Sequence, residues 1–202
     1  MRTGILGGTF DPIHVAHLHT AECALFQLSL DRVLVMPAGD PWQKLDREVS
    51  PSTNRLEMCR IALAGIERIE LDDREVGRQG PSYTIDTLES FPVDEELFLI
   101  VGSDAAAGLD TWHRWDEIIE RVSIVVAPRP GAVVPDLPRA STLDMGLLDV
   151  RGTDIRERAR TGRPYRFLVT QSVYQYIQDH DLYANRGRDD MVGGLNSMES
   201  SS

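Results

Sequence analysis

Three runs made almost entirely of apolar residues most constrain how this chain folds. They occupy residues 32–37 (RVLVMP), 97–101 (LFLIV) and 122–127 (VSIVVA). A half-exposed strand alternates apolar and polar residues, whereas these runs are apolar almost throughout, as are strands buried on both faces of a parallel sheet. Segments with helical spacing of apolar residues lie between them, so the chain is predicted to be an α/β protein with a doubly wound parallel sheet.

Shorter segments of the sequence predict further strands and helices. Further strands are predicted at residues 3–7, 69–71 and 147–150. Helices are predicted after the first strand, from Ser50 and Pro51 onward, and at residues 83–91, 116–121, 153–160 and 172–180. In such sheets ligands bind where the strand order reverses, at the carboxyl ends of the strands. The first strand and the strand at 97–101 both end in loops that contain glycine, and we expect the site there.

Size and charge narrow the class of protein. The chain has 202 residues and a net charge of -11, which suits one domain and disfavours a general nucleic-acid binder. We expect a single domain over 1–185 and a flexible Gly- and Ser-rich tail over 186–202. No apolar run is long enough to span a membrane, and the start lacks the features of a signal peptide, so a cytoplasmic location is expected. The sequence leaves the choice between monomer and homo-oligomer open.

A glycine-rich segment, residues 7–17 (GGTFDPIHVAH), joins the first strand to the first helix. Two glycines let a ligand approach the main chain closely, and the helix N-terminus attracts anions. His14 and His17 are three residues apart and can face the same way on the first helical turn. These residues alone indicate an anion site, and a zinc-binding pair or two exposed histidines remain alternatives.

The complete string resembles the GGTFDPxHxGH signature of nucleotidyltransferases related to class I aminoacyl-tRNA synthetases. Ala16 stands where that family usually has glycine. The resemblance implies a Rossmann-like nucleotidyltransferase fold, in which His14 and His17 are catalytic and hold phosphates around the reacting phosphorus. It further implies ATP contacts from four residues of the loop: Gly7, Gly8, Thr9 and Phe10.

A second anion site is predicted at residues 152–156 (GTDIR). Thr153 is predicted to cap a helix, which places Arg156 in a first turn where a bound polyphosphate offsets its charge. The alternative is a surface arginine on an arginine-rich helix. The segment resembles the ISSTxIR motif of the same family, with residues 150–152 (VRG) in place of Ile-Ser-Ser. This resemblance implies that Thr153 binds ATP and that Arg156 is catalytic.

Three more segments, residues 41–44 (PWQK), 81–88 (PSYTIDTL) and 111–113 (TWH), suggest by themselves only a loop, a capped helix and a surface aromatic. Together they resemble the bacterial nicotinate-nucleotide adenylyltransferases, and this resemblance covers about residues 3–184. It implies that Trp112 stacks on the pyridine ring. The other implied contacts to the mononucleotide are Lys44, Tyr83, Thr84 and His113, and those to ATP are Gly102, Asp104 and Arg129.

The resemblance implies transfer of AMP from ATP to nicotinate mononucleotide, which yields nicotinate adenine dinucleotide and pyrophosphate in NAD biosynthesis. Mg²⁺ is expected to be carried with ATP, because no carboxylate cluster with magnesium spacing is evident and no resident metal site is expected. Alternatives are adenylyl transfer to nicotinamide mononucleotide or another phosphate acceptor, and a nucleotide-binding sensor without turnover. A Rossmann-type oxidoreductase is disfavoured because no GxGxxG opens the first helix.

Overall fold

A computed structural model describes residues 1–39, 49–78, 83–132, 135 and 137–184. Lys44 and the predicted tail over 186–202 lie outside these ranges. Among the described residues, no helix is both long enough and apolar enough to cross a membrane.

Six strands form one parallel sheet within the described residues, which confirms the predicted fold class. They are β1 (Arg2–Gly8), β2 (Arg32–Pro37), β3 (Ile69–Leu71), β4 (Glu96–Gly102), β5 (Val122–Ala127) and β6 (Ala140–Thr142). The order across the sheet is β3-β2-β1-β4-β5-β6. The chain therefore builds outward from β1 to one edge, crosses to the other side of β1 and builds outward again. This makes the β1–β4 boundary the switch point.

Helices cover both faces of this sheet. They are α1 (Val15–Gln27), α2 (Ser52–Leu63), α3 (Thr84–Glu89), α4 (Ser103–Ala106), α5 (Trp115–Arg121), α6 (Gly152–Arg160) and α7 (Gln171–Asp179). Helices α1, α2, α6 and α7 pack on one face and α3, α4 and α5 on the other. Neighbouring residues of a strand pack on opposite faces of the sheet: Leu6 packs with the helices α1, α2, α6 and α7, and Ile5 packs with α3, α4 and α5. This double burial explains why the strands are apolar without alternation.

The predicted strand at 147–150 is wrong. Leu147 and Leu148 are exposed, and residues 143–151 form no helix or strand. The last strand is instead β6, whose Ala-Ser-Thr sequence pairs with β5 at the sheet edge. An edge strand of three residues needs little apolar character, so no apolar run marks it.

Two predicted helix starts also differ in detail. Pro51, not Ser50, occupies the N-cap of α2, and Arg151, not Thr153, occupies the N-cap of α6. Thr153 is therefore the second residue of α6. Gly152 allows the earlier start, because a Cβ there would lie 2.7 Å from the main-chain oxygen of Asp11. Without a side chain, α6 can begin directly against the loop that follows β1.

Candidate active site

The loops after β1 and β4 begin side by side at the carboxyl edge of the sheet. Residues 2–6 of β1 pair with residues 96–100 of β4, so Gly7 and Gly8 lie at the same edge as Gly102. A Cβ on Gly7 would meet no atom of the described residues within 4 Å. The main chain at Gly7 is therefore open to a ligand, as the glycine-rich sequence predicts.

Phe10 shapes the loop that follows β1. Its side chain is buried, and its φ of +49° is uncommon for a bulky residue. The ring would lie 3.0 Å from a Cβ on Gly8, and it stands edge-on to the His17 ring with centroids 4.8 Å apart. The buried ring of Phe10 thus holds the His17 imidazole in place. The main chain of Phe10 is then the part of this residue that can face a nucleotide.

The structure brings His14 and His17 together at the start of α1. Their rings are stacked, with centroids 3.6 Å apart and planes inclined by 18°. The His14 main-chain N–H donates to Nδ1 of His17 at 3.3 Å, so we place the proton of the His17 ring on Nε2. Among the described residues, no group of three His, Cys, Asp or Glu side chains is placed to hold a metal ion. The donor on Nε2 of His17 can form a hydrogen bond to an anion.

Burial determines the charge of His14. Its side chain is almost fully enclosed. Desolvation, and then the positive charge of Arg129, lower the pKa of His14 to about 3. His14 is therefore neutral near pH 7 in the ligand-free protein and does not act there as a cation.

This low pKa predicts how stability depends on pH. The His14 imidazole titrates near 6.5 in the unfolded chain and near 3 in the folded protein, so between these values the unfolded state binds more protons. The corresponding stability is fully present above pH 6.5 and is lost as the pH falls toward 3. The free energy of unfolding should fall by at most about 1.4 kcal/mol per pH unit on this account. Urea denaturation of the ligand-free protein at a series of pH values measures this slope.

The His14→Gln variant isolates this contribution, since carboxyl groups titrate over the same range in both proteins. We expect its stability to depend less steeply on pH than that of the wild type. Identical slopes in the two proteins would contradict a depressed pKa at His14.

Three predicted ATP contacts lie together above the end of β4. Nη1 of Arg129 donates to Oδ2 of Asp104 at 2.9 Å. Nε of the same arginine would lie 3.5 Å from a Cβ on Gly102. The Asp104 carboxylate is 61% exposed, so it remains accessible to ligand hydroxyls. Arg129 is therefore a member of this cluster.

Arg156 reaches from α6 to the loop that follows β1. Its Nη1 donates to the Asp11 main-chain oxygen at 2.6 Å and lies 3.9 Å from Oδ2 of the same residue. Gly152 rests against the same main-chain oxygen. These contacts seat α6 on the loop and bring the Arg156 guanidinium to it. Thr153 lies exposed in the first turn of α6.

Asp11 is a site residue that the sequence-based choice of candidates missed. Its buried carboxylate accepts from the Tyr183 hydroxyl at 2.6 Å and from the Ser50 main-chain N–H at 3.1 Å. Burial raises the pKa of Tyr183 well above its usual range, and the neighbouring carboxylate adds to this, so the hydroxyl stays protonated and donates. Asp11 thus ties the loop to two segments distant in sequence. Its place inside the GGTFDP string was the signal that could have found it.

The predicted mononucleotide contacts gather beside the second group of helices. Tyr83 is the N-cap of α3 and Thr84 is its first residue. The Tyr83 ring contacts the His113 ring with centroids 4.5 Å apart. Trp112 follows a 3₁₀ turn and packs, like Tyr83, against the apolar core on that face. The segments that contain Thr84 and His113 thus meet through the contact between the Tyr83 and His113 rings. Lys44 lies outside the described residues.

Known proteins are similar to this chain in sequence and in fold. Residues 5–158 match the model of the cytidylyltransferase-like family. Two relatives bear the name "Probable nicotinate-nucleotide adenylyltransferase". The one from Dehalococcoides mccartyi is 38% identical over 198 residues, which are 91% of this chain and 97% of the relative. The one from Roseiflexus sp. (strain RS-1) is 42% identical over 192 residues, which are 89% and 96% of the two chains.

The fold is also that of a solved structure, Plasmodium falciparum nicotinic acid mononucleotide adenylyltransferase complexed with NaAD. The TM-score is 0.76 at 16% identity, covering 90% of this chain and 97% of that one. At 16% identity the solved structure shows only that the fold is the same. The relatives at 38% and 42% identity show the family. The chain therefore belongs to the cytidylyltransferase-like family and, within it, to the nicotinate-nucleotide adenylyltransferases.

Proposed function

We propose that this protein transfers AMP from ATP to nicotinate mononucleotide, producing nicotinate adenine dinucleotide and pyrophosphate in NAD biosynthesis. The observation that carries the proposal is the stacked His14–His17 pair, which lies beside the open glycines at the switch point of the sheet. Relatives 38% and 42% identical over most of the chain, which bear the name of this activity, support the choice of substrates.

The reaction needs alignment more than proton transfer. The mononucleotide's 5′-phosphate is an anion at neutral pH, so it can attack the α-phosphorus of ATP without a side-chain base. One P–O bond forms to the incoming phosphate as the bond to the pyrophosphate oxygen breaks. The protein must hold two anions that repel each other and stabilise the charge that grows on the leaving pyrophosphate.

The residues at the loop after β1 suit this task. Nε2–H of His17 donates to phosphate oxygens around the α-phosphorus, and His14 supports it through the ring stack. Because His14 is neutral in the ligand-free protein, it places no buried cation in the site before a nucleotide arrives. Backbone N–H groups of Thr9 and Phe10 add fixed dipoles that need no reorganisation during the reaction.

Arg156 and the Arg129–Asp104 pair serve the two ends of ATP in this proposal. Arg156 clamps the β- and γ-phosphates with its planar fork of donors. Asp104 accepts from ribose hydroxyls, and Arg129 lies beside the adenine. Mg²⁺ enters as part of the substrate, bound to the phosphate oxygens of ATP, where it neutralises charge.

Pyrophosphate release tests this function directly. Mg²⁺–ATP is supplied with either nicotinate mononucleotide or nicotinamide mononucleotide in parallel reactions. A strong preference for the acid is the expected result. A preference for the amide would overturn the proposed acceptor, and ATP binding without pyrophosphate release from any acceptor would indicate a nucleotide sensor instead.

Replacing Trp112 by alanine should raise the KM for nicotinate mononucleotide by about tenfold and change the KM for ATP much less. The reason is that the indole is proposed to stack on the pyridine ring, which only the mononucleotide carries. Steady-state kinetics with each substrate varied in turn measures the two constants.

Trp115 provides the matched control. It is also a half-buried tryptophan that packs against the same apolar core. Trp115→Ala should lower stability without separating the two KM values. Equal changes in both constants for Trp112→Ala would argue against stacking.

A further inference from the structure

We propose that Arg55, which belongs to none of the motifs above, is a positioning residue that orients a phosphate-binding N–H of the loop after β1. The inference rests on the proposed function, since it concerns the ATP phosphates. Arg55 lies on the first turn of α2 and its side chain is only 1% exposed.

The Arg55 guanidinium joins three separate segments of main chain. Its Nη1 donates to the Thr9 oxygen at 2.8 Å, its Nη2 to the Gly39 oxygen at 2.7 Å, and its Nε to the Ser50 oxygen at 3.0 Å. Thr9 belongs to the loop after β1, Gly39 follows β2, and Ser50 precedes α2. One planar, rigid group thus sets the relative positions of these three segments.

Packing alone does not account for an arginine at this position. Burial of a guanidinium is unfavourable unless its charge is compensated, and an apolar side chain fills a core position without that cost. The neighbouring buried residues on α2, Met58 and Cys59, are of that apolar kind. What arginine adds is a set of directed donors to the three main-chain oxygens.

The bond to Thr9 matters for chemistry because of peptide geometry. In a trans peptide the C=O and the following N–H point in opposite directions across one rigid plane. Arg55 holds the Thr9 oxygen toward the buried guanidinium, so the N–H of Phe10 points away from it. The left-handed φ of Phe10, +49°, belongs to this same turn. Phe10 N–H is one of the two main-chain donors proposed to bind the phosphates.

Asp11, which follows Phe10, adds a second link between this loop and the start of α2. Its carboxylate accepts from the N–H of Ser50, the residue whose oxygen binds Arg55. The loop and the start of α2 are therefore linked twice, and the loss of Arg55 should change the orientation of the Thr9–Phe10 peptide without detaching the loop.

Two variants test the proposal: Arg55→Lys, which keeps the charge without the fork, and Arg55→Met, which removes both. The first measurement is calorimetric binding of the α,β-methylene analogue of ATP with Mg²⁺. The second is kcat and the KM of each substrate for pyrophosphate release. We expect Arg55→Met to bind the analogue about tenfold more weakly. Its kcat should be about tenfold to a hundredfold lower, with the KM for nicotinate mononucleotide nearly unchanged. Arg55→Lys should fall between it and the wild type.

Arg32 is the matched control for stability. It is a partly buried arginine near the opposite end of the sheet, where it donates to Thr3 Oγ1 and pairs with Glu95. Arg32→Met should lower Tm while kcat and analogue binding stay at wild-type values. If Arg55→Met does not fold, Arg55→Lys decides the question.

A failure of the Arg55 proposal can be distinguished from a failure of the proposed function. Wild-type analogue binding and wild-type kcat in either folded Arg55 variant would overturn the positioning role. A wild-type protein that binds the analogue but releases no pyrophosphate would overturn the proposed function, and the binding comparison would still test Arg55.

Discussion

Replacing Arg156 by alanine is expected to lower kcat for pyrophosphate release by about a hundredfold or more. In the proposed reaction, negative charge grows on the leaving pyrophosphate, and the guanidinium can meet it with two parallel donors. The bond from Nη1 to the Asp11 oxygen, 2.6 Å long, anchors one side of this group before a nucleotide binds. Alanine removes both the charge and its fixed orientation, so the transition state should lose more stabilisation than bound ATP does. Steady-state kinetics at saturating Mg²⁺–ATP measures the loss.

Arg160→Ala is the control for this variant. Arg160 lies on the same helix and carries the same charge, but it forms an exposed ion pair with Glu157 at 2.7 Å. Its loss should leave kcat unchanged. Arg156→Lys should retain part of the activity, because an ammonium supplies charge without the planar fork. Wild-type kcat in Arg156→Ala would exclude the proposed contact with the leaving group.

Replacing His17 by alanine is expected to reduce kcat by a similar factor, about a hundredfold, while the fold stays intact. The variant loses the Nε2 donor and the acceptor that holds the His14 N–H. It also loses the ring that separates Phe10 from His14. Alanine is the best helix-forming residue, so α1 should persist. Kinetics together with circular dichroism checks both parts of the prediction.

His19 supplies the comparison on the same helix. It is a half-exposed histidine whose ring lies 3.6 Å from the Cys23 sulfur, with Glu22 nearby. His19→Ala should therefore match the wild type in kcat. A folded His17→Ala protein with near-normal turnover would mean that His17 does not bind the reacting phosphates.

The sheet could be predicted from the sequence because its central strands are buried on both faces. That burial requires continuous apolar residues, and such runs are visible without any structure. The edge strand β6 could not be predicted in this way, whereas the other edge strand, β3, has two apolar residues among its three and was predicted. Residues 140–142 pair on one side only, so their sequence carries no apolar run, and the exposed pair Leu147 and Leu148 gave a misleading signal.

The parts of the site that could be predicted are those with a local sequence pattern. His14 and His17 are three residues apart, a spacing that lets their side chains face the same way, and their rings are stacked. The supporting contacts have no such pattern. Arg55 binds the oxygen of Thr9 across 46 positions, and Tyr183 binds Asp11 across 172. The Arg55 bond goes to a main-chain oxygen, which any residue type can supply, and the Tyr183 bond joins two side chains that are far apart in sequence, so only the fold reveals these contacts.

The ion pair between Arg129 and Asp104 has a consequence for the free energy that a nucleotide gains on binding there. Because both side chains are partly exposed, at 33% and 61%, the pair is worth less than about 1 kcal/mol. Arg129 donates to Oδ2 of Asp104, and a carboxylate has further lone pairs, so ribose hydroxyls that bind Asp104 as proposed need not displace the arginine. Arg129 therefore keeps the carboxylate partly neutralised both before and after a nucleotide binds, and little free energy is lost in preparing Asp104 for its ligand.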